Sequence, residues 1–279
     1  MLIAIDAGHG SETAGKRTPD GYREHYANTK VANYFAQAMD RCGVKYIKTG
    51  WNDAIATDDK DTALSTRQTT IKNAKCDYSI SFHFNASGDG KTYNSGEGIE
   101  TLYHDKYVGD SKKMAECIQK YLIQGTTQKN RGVKQQSLSM CNCYKLGTKA
   151  SVLVECAFMT NKREAELMKS DAFCKECAEE TAKGFCEYIG IKYVPEDAVV
   201  QTTPVTPKQP TVNNTFIVKP KEDLNIRKSP SGDIVLKNGA KKGVSYTIVE
   251  TSGNWGLLKA YQKNRNGWII VSDNYVTRS

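Results

Sequence analysis

Between Asp20 and Val194 the chain contains no proline, and then Pro195, Pro204, Pro207 and Pro210 arrive close together. Proline locks φ and has no N–H to donate, so a long proline-free stretch is open to interior helices and central strands. A cluster of prolines marks where such structure stops. The stretch Val199–Asn214 (VVQTTPVTPKQPTVNN) adds Thr, Gln and Asn and has no helical periodicity, and it reads as an extended, semi-rigid linker. The expected organisation is a first domain over residues 1–192, a linker over 193–215 and a second domain over 216–279.

The first segment alternates short apolar runs with amphipathic ones. Strands are expected at Leu2–Asp6, Lys45–Lys48, Tyr78–Asn85, Gly98–Tyr103 and Ser151–Met159. Helices are expected over roughly Tyr26–Cys42, Thr62–Lys75, Asp110–Gln124 and Asp171–Ile189, and Gln128–Cys143 is expected to be a loop near the groove. This alternation predicts the α/β class: a three-layer domain with a mostly parallel, twisted sheet flanked by helices. In such domains the polar residues at the carboxyl ends of strands are the first place to look for a site. The second segment has no helical pattern. Its short runs (Phe216–Val218, Leu224–Ile226, Tyr246–Val249, Gly256–Leu258, Gly267–Ile270), separated by Gly, Pro, Asn and Ser, predict a small all-β barrel.

Composition excludes several classes. Hydrophobic residues are 39% and charged residues 25% of the 279, an ordinary balance for a soluble globular protein. No apolar run approaches the ~18–20 residues needed to cross a bilayer. The start, Met1-Leu-Ile-Ala-Ile-Asp6, has no basic n-region and no small-residue cleavage site, so no signal peptide is expected. The net charge of +8 is uneven: residues 1–192 carry +3, 193–215 carry −1 and 216–279 carry +6. A basic second domain is suited to an anionic polymer. Nucleic acid is disfavoured because no Arg/Lys stripe is interleaved with aromatics. The nine cysteines are odd in number and irregular in spacing, which favours reduced thiols over a disulfide framework. Cys174 and Cys177 could be read as metal or redox ligands, but their helical pattern (Phe173, Cys174, Cys177, Ala178, Thr181, Phe185) turns both inward. The acidic stretch Asn52–Thr62 lacks the glycine and terminal glutamate of an EF-hand loop and reads as a solvated loop.

Four positions carry chemistry. The strand Leu2–Asp6 runs into Ala7-Gly8-His9-Gly10, a histidine whose flanking glycines allow a tight turn and leave the imidazole room for a ligand. In Tyr78–Asn85, alternation sends Ile80, Phe82 and Phe84 to one face and Ser79, Ser81, His83 and Asn85 to the other. In Ser151–Met159 one carboxylate, Glu155, lies within an otherwise apolar strand. Burying it unpaired costs several kcal/mol, so it needs a cation, as in an ion pair, or a proton, as in a general acid or base. Glu24 opens the first long helix, where an acid also complements the helix dipole.

Taken in order, the D-A-G-H-G strand end, Glu24 and Asn28, Arg67, the His83-x-Asn85-Ala86 segment and the strand glutamate resemble the type-3 family of zinc N-acetylmuramoyl-L-alanine amidases, found in phage endolysins, autolysins and sporulation enzymes. The likeness spans about residues 1–190. It implies His9, Glu24 and His83 as zinc ligands and Glu155 as the catalytic carboxylate. The expected reaction is hydrolysis of the amide between N-acetylmuramic acid and L-alanine in peptidoglycan. His25, next to Glu24, is an alternative ligand, His104 is expected to be structural, and Asn130-Arg131-Gly132 matches a family segment of unassigned role. Residues 216–279 resemble bacterial SH3 domains through Leu224-Asn-Ile-Arg227, Asn254-Trp-Gly256, Gly267-Trp-Ile269 and Asn274-Tyr-Val276, which implies a wall-binding module in which Trp255, Trp268, Tyr246 and Tyr275 are either groove or core. The implied life history is synthesis in the cytoplasm and action at the cell wall after release. Two alternatives remain: a zinc peptidase acting inside the stem peptide, and a wall-binding protein without turnover.

Overall fold

The computed structural model describes residues 1–51, 60–196, 215–230, 234–252, 254–261, 266–272 and 274–278. They divide between two compact units, Met1–Thr203 and Pro204–Ser279. Of the expected linker, residues 197–214 lie outside the described residues, as do 52–59 of the acidic stretch.

The sheet of the first unit is built around β1 (Leu2–Ala7), which lies between β2 (Lys45–Thr49) and β3 (Tyr78–Asn85). Beyond β3 come β6 (Ala150–Phe158), β4 (Ile99–Tyr103) and β5 (Asn130–Gln135), giving the order β2-β1-β3-β6-β4-β5. Neighbours run parallel except β4 against β6, so the sheet is mixed and mostly parallel. Period-two alternation assigns the two faces. Ile3 and Ile5 of β1, Ile80, Phe82 and Phe84 of β3, and Val152 and Val154 of β6 enter one large core. That core is closed by α1 (Glu24–Arg41), α3 (Ser111–Leu122) and α6 (Asp171–Ile189). Ala4, on the opposite face, packs with Ile71 of α2 (Leu64–Asn73) and Leu146 of α4 (Cys143–Leu146). Helices therefore cover both faces, the three-layer arrangement read from the pattern. Cys174 and Cys177 lie in the large core, as their spacing on α6 predicts.

Two features depart from the expectation. Within Gln128–Cys143, residues Asn130–Gln135 form the edge strand β5 instead of a loop. The strand has one apolar residue, Val133, and a glycine at φ 76°, Gly132, so it carries almost no hydrophobic signal. The helix α5 (Lys162–Lys169) is the second, an element outside the expected pattern. It is short and mostly charged, and it starts at Asn161, whose side chain accepts from the N–H groups of Arg163 and Glu164.

On α6, burial, reinforced by the negative charge of Glu176 and opposed by Lys183, pushes Glu180 up to about 7. The folded state therefore holds a proton there that the unfolded chain has already released above about pH 4.5. Stability contributed by this group falls as pH rises from about 5 to 7. Glu180→Gln is expected to melt with the wild type at pH 4 and to be more stable at pH 8 by about 1–2 kcal/mol. Thermal melts across that range check it, and a difference independent of pH counts against it.

The second unit is a seven-stranded antiparallel sheet, order β13-β7-β10-β11-β12-β8-β9. Its strands are β7 (Phe216–Pro220), β8 (Leu224–Arg227), β9 (Ile234–Ala240), β10 (Tyr246–Ser252), β11 (Trp255–Leu258), β12 (Trp268–Ile270) and β13 (Val276–Arg278). Val218, Ile226, Ile248, Leu258, Ile269 and Val276 fill its core. Trp268 is buried, whereas Trp255 is half-buried beneath the Arg227 guanidinium.

Candidate metal centre

The site lies at the carboxyl ends of β1, β3 and β6, and its layout follows from strand register. On one face, β-sheet neighbours align in two successive rows. The lower row is Thr49, Asp6 and Ser81. The upper row runs from His83 to Glu155 and on to Glu100. Beside this upper row, the turn after β1 brings in His9, and the first turn of α1 brings in Glu24.

These side chains converge. One ligand atom from each of His9, Glu24 and His83 lies within 4.8 Å of the others. His83 Nδ1 is 3.0 Å from Glu24 Oε1, and His9 Nε2 is 3.3 Å from Glu24 Oε2. The two imidazoles are 4.8 Å apart between centroids and nearly perpendicular. Glu24 is buried, while both histidines keep part of their surface open to a cavity of about 390 Å³ that also reaches Leu64 and Met140. Burial acts to raise Glu24, but the His83 and His9 rings outweigh it and hold the carboxyl well below its usual range. His9 Nε2 and Glu24 Oε2 are both buried without a hydrogen-bond partner. Buried polar atoms without a hydrogen bond are uncommon and costly, and two lone-pair donors left facing one another suit a cation between them.

The backbone around His9 differs in one respect from the sequence reading. The residue in the left-handed region is His9 itself, φ 62°, and neither adjacent glycine is. The glycines supply space. A Cβ on Gly8 would sit 2.1 Å from Cε1 of His83, and one on Gly10 would sit 2.3 Å from the Asp61 nitrogen. His25 is fully buried beneath this turn, with Nδ1 2.7 Å from the Gly8 carbonyl and Nε2 3.2 Å from Thr29 Oγ1. It supports the turn and stands outside the ligand cluster. Asn28 donates to the same carbonyl at 3.0 Å and contacts Glu24 Oε1, so the Glu24-x-x-x-Asn28 spacing ties the helix start to the His9 turn. His104 accepts from the backbone N–H groups of Lys106 and Tyr107, a structural role remote from the cluster.

Glu155 is adjacent to His83 across the β3–β6 pairing. Its Oε2 is buried and unpartnered. Burial, with the charges of Glu24 and Glu100 added and Lys16 opposing, pushes its carboxyl well above the usual range. A half-buried acid with a raised affinity for a proton, next to His83 in the sheet, is equipped to move protons.

The family described as N-acetylmuramoyl-L-alanine amidase matches residues 3–187, which include the whole six-stranded sheet apart from Leu2. The chain belongs to this amidase family. The endolysin of Bacillus phage SPP1 is 27% identical over 288 residues, covering 99% of this chain and 97% of that protein. The amidase LytC of Bacillus subtilis (strain 168) is 29% identical over 187 residues, 67% of this chain but 35% of LytC. The crystal structure of an N-acetylmuramoyl-L-alanine amidase from Clostridium difficile 630 has the same fold, with TM-score 0.59 and 24% identity over 68% of this chain and 96% of that one.

Two buried carboxylates of this amidase fold escaped the sequence reading. Glu100 is the register partner of Glu155, and it accepts from Asn85 at 2.8 Å, Arg131 at 2.6 Å and Lys134 at 2.5 Å. Its signal was present, because it interrupts the apolar run Ile99–Tyr103 as Glu155 interrupts Ser151–Met159. It also gives Arg131 a role, as the partner that neutralises Glu100. Glu164 of α5 is fully buried and accepts from the N–H groups of Phe158 and Gly98, which fixes the end of β6. It lies on a polar helix, where no pattern distinguishes it from a surface acid.

Proposed function

We propose that the chain is a zinc-dependent N-acetylmuramoyl-L-alanine amidase that hydrolyses the amide between the lactyl group of N-acetylmuramic acid and the L-alanine of the stem peptide. The observation that carries this reading is the convergence of His9, Glu24 and His83 on one point beside the unpaired carboxyl of Glu155. Two imidazoles and one carboxylate are the donor set of a catalytic zinc site with a position left open. Zinc held by His9, Glu24 and His83 would supply a water of lowered pKa, ~7, and would polarise the scissile carbonyl. Glu155 accepts the proton of the attacking water and returns it to the departing amine of L-alanine. Burial and the neighbouring charges of Glu24 and Glu100 raise its affinity for a proton, which suits it to accept one from the water. Glu24, held by Asn28 and by the Phe84 N–H, keeps the two histidine rings in place.

We read the second unit as an SH3-like module that holds the enzyme on the wall. The +6 charge of residues 216–279 suits anionic wall polymers, and seven antiparallel strands with a small aliphatic core fit that class. The match to the phage SPP1 endolysin along almost the whole chain favours a lysin over an autolysin.

Digestion of purified peptidoglycan tests the reaction. Wild-type protein is expected to release intact stem peptides beginning with L-alanine and to leave peptide-free glycan, both identified by mass spectrometry. A chelator is expected to abolish both products and added zinc to restore them. Cuts inside the stem peptide, or undiminished release after complete metal removal, overturn the assignment.

A further inference from the structure

The carboxyl ends of α1 and α6 meet at two thiols. Cys42 caps α1, and Cys186 of α6 donates its S–H to the Cys42 sulfur across an Sγ–Sγ distance of 3.7 Å, although 144 residues separate them in sequence. Cys42 Sγ also accepts from the Val194 N–H at 3.3 Å, while Arg41 donates to the Val194 carbonyl at 3.1 Å. Arg41 and the Tyr193 hydroxyl both hold Glu179. The segment leaving α6 is thus strapped across the two helix ends, with the sulfur pair beneath it.

Access separates this pair from the other cysteines. Cys42 is half-buried, and the buried Cys186 lines a cavity of about 340 Å³ together with Tyr121, Glu187 and Ile191. Burial, with the adjacent Cys42 sulfur, pushes the Cys186 thiol up to about 12, so Cys186 keeps its proton and acts as the donor. Cys156 and Cys177 also touch, but both are sealed in the core. Cys117, the other half-buried thiol, faces the Glu187 carboxylate.

We propose that Cys42 and Cys186 are a disulfide-forming pair, oxidised by low-molecular-weight disulfides, that staples α1 to α6 beneath the strap. The half-buried Cys42 sulfur attacks the small disulfide, forming a mixed disulfide and releasing one small thiol. Cys186 then loses its proton and attacks the Cys42 sulfur, expelling the second small thiol. Both protein thiols are oxidised, the small disulfide is reduced to two thiols, and the protein loses two hydrogens. A bridge spanning this much chain restricts the unfolded ensemble strongly.

The test uses the full chain incubated with oxidised glutathione, then alkylated, digested and mapped by mass spectrometry. The expected map joins the Cys42 and Cys186 peptides and finds the remaining cysteines alkylated. The melting temperature rises by about 5–10 °C, and dithiothreitol reverses the rise. Cys42→Ser and Cys186→Ala are expected to show no such rise. The wild-type peptide map decides the matter even if a variant folds poorly. A persistent glutathione adduct on Cys42 with Cys186 alkylated overturns the proposal, as does pairing of Cys42 with a different cysteine.

Discussion

Replacing Glu155 by glutamine is expected to lower turnover of purified peptidoglycan by about 10²–10⁴-fold while the chain still folds and binds metal. Glutamine preserves the shape and can still accept a hydrogen bond, but it cannot take and return a proton. The same change should stabilise the metal-free protein at neutral and higher pH. Burial and the charges of Glu24 and Glu100 hold the Glu155 carboxyl protonated to higher pH than in the unfolded chain. The unfolded state therefore loses that proton first, and the wild type loses stability as pH rises above the unfolded value near 4.5. Glutamine has no proton to lose. In chelator, melting temperatures of Glu155→Gln and wild type should coincide near pH 4, with the variant ahead by a margin that grows toward pH 8. A variant that loses stability in step with its activity would point to a structural role. One that keeps more than a tenth of wild-type turnover removes Glu155 from the proton transfers altogether.

The candidate site was legible because three of its residues break a local rule. His83 stands on the polar side of an alternating strand, Glu155 is a carboxylate in an apolar one, and His9 follows a buried strand between two glycines. Each violation of pattern needs a compensating partner, and that need is readable from the chain itself. The supporting structure was less legible, because its partners are distant in sequence and its residues break no rule where they stand. Glu164 looks like any acid on a charged helix until the fold brings the N–H groups of Gly98 and Phe158 to it. The edge strand β5 gains its place from pairing with β4, while its own residues offer one aliphatic side chain. Even at His9 the pattern located the turn but misjudged how its residues divide the work. The glycines are expected to allow a tight turn and leave the imidazole room, whereas the left-handed residue is His9 itself and the room the glycines leave admits the His83 ring and the Asp61 backbone.

Arg67 shows how much of the site depends on this less visible layer, and Arg67→Ala is expected to destabilise the first unit by about 3–5 kcal/mol. Its guanidinium is almost wholly buried, and it donates to Asp6 at 2.9 Å, to the Ala7 and His9 carbonyls at 2.6 Å each, and to the Thr62 carbonyl at 2.9 Å. Asp6 is equally buried and is further held by Thr49 and Ser81, so truncating Arg67 strands a carboxylate and three carbonyls at once. Two of those carbonyls flank the turn in which His9 is held at φ 62°. The clamp therefore fixes a backbone conformation that a histidine disfavours, and with it the direction of the imidazole. Arg67→Lys separates stability from positioning. A lysine can neutralise Asp6, but its single ammonium cannot reach both carbonyls in the forked geometry of a guanidinium. The lysine variant should fold with a smaller loss of stability, while zinc affinity falls by about 10–100-fold, measured by competition against a chromophoric chelator. Wild-type zinc affinity in a folded Arg67→Lys variant would mean that the His9 turn holds its conformation without the clamp. A loss of affinity with the fold retained would establish Arg67 as the residue that aims His9.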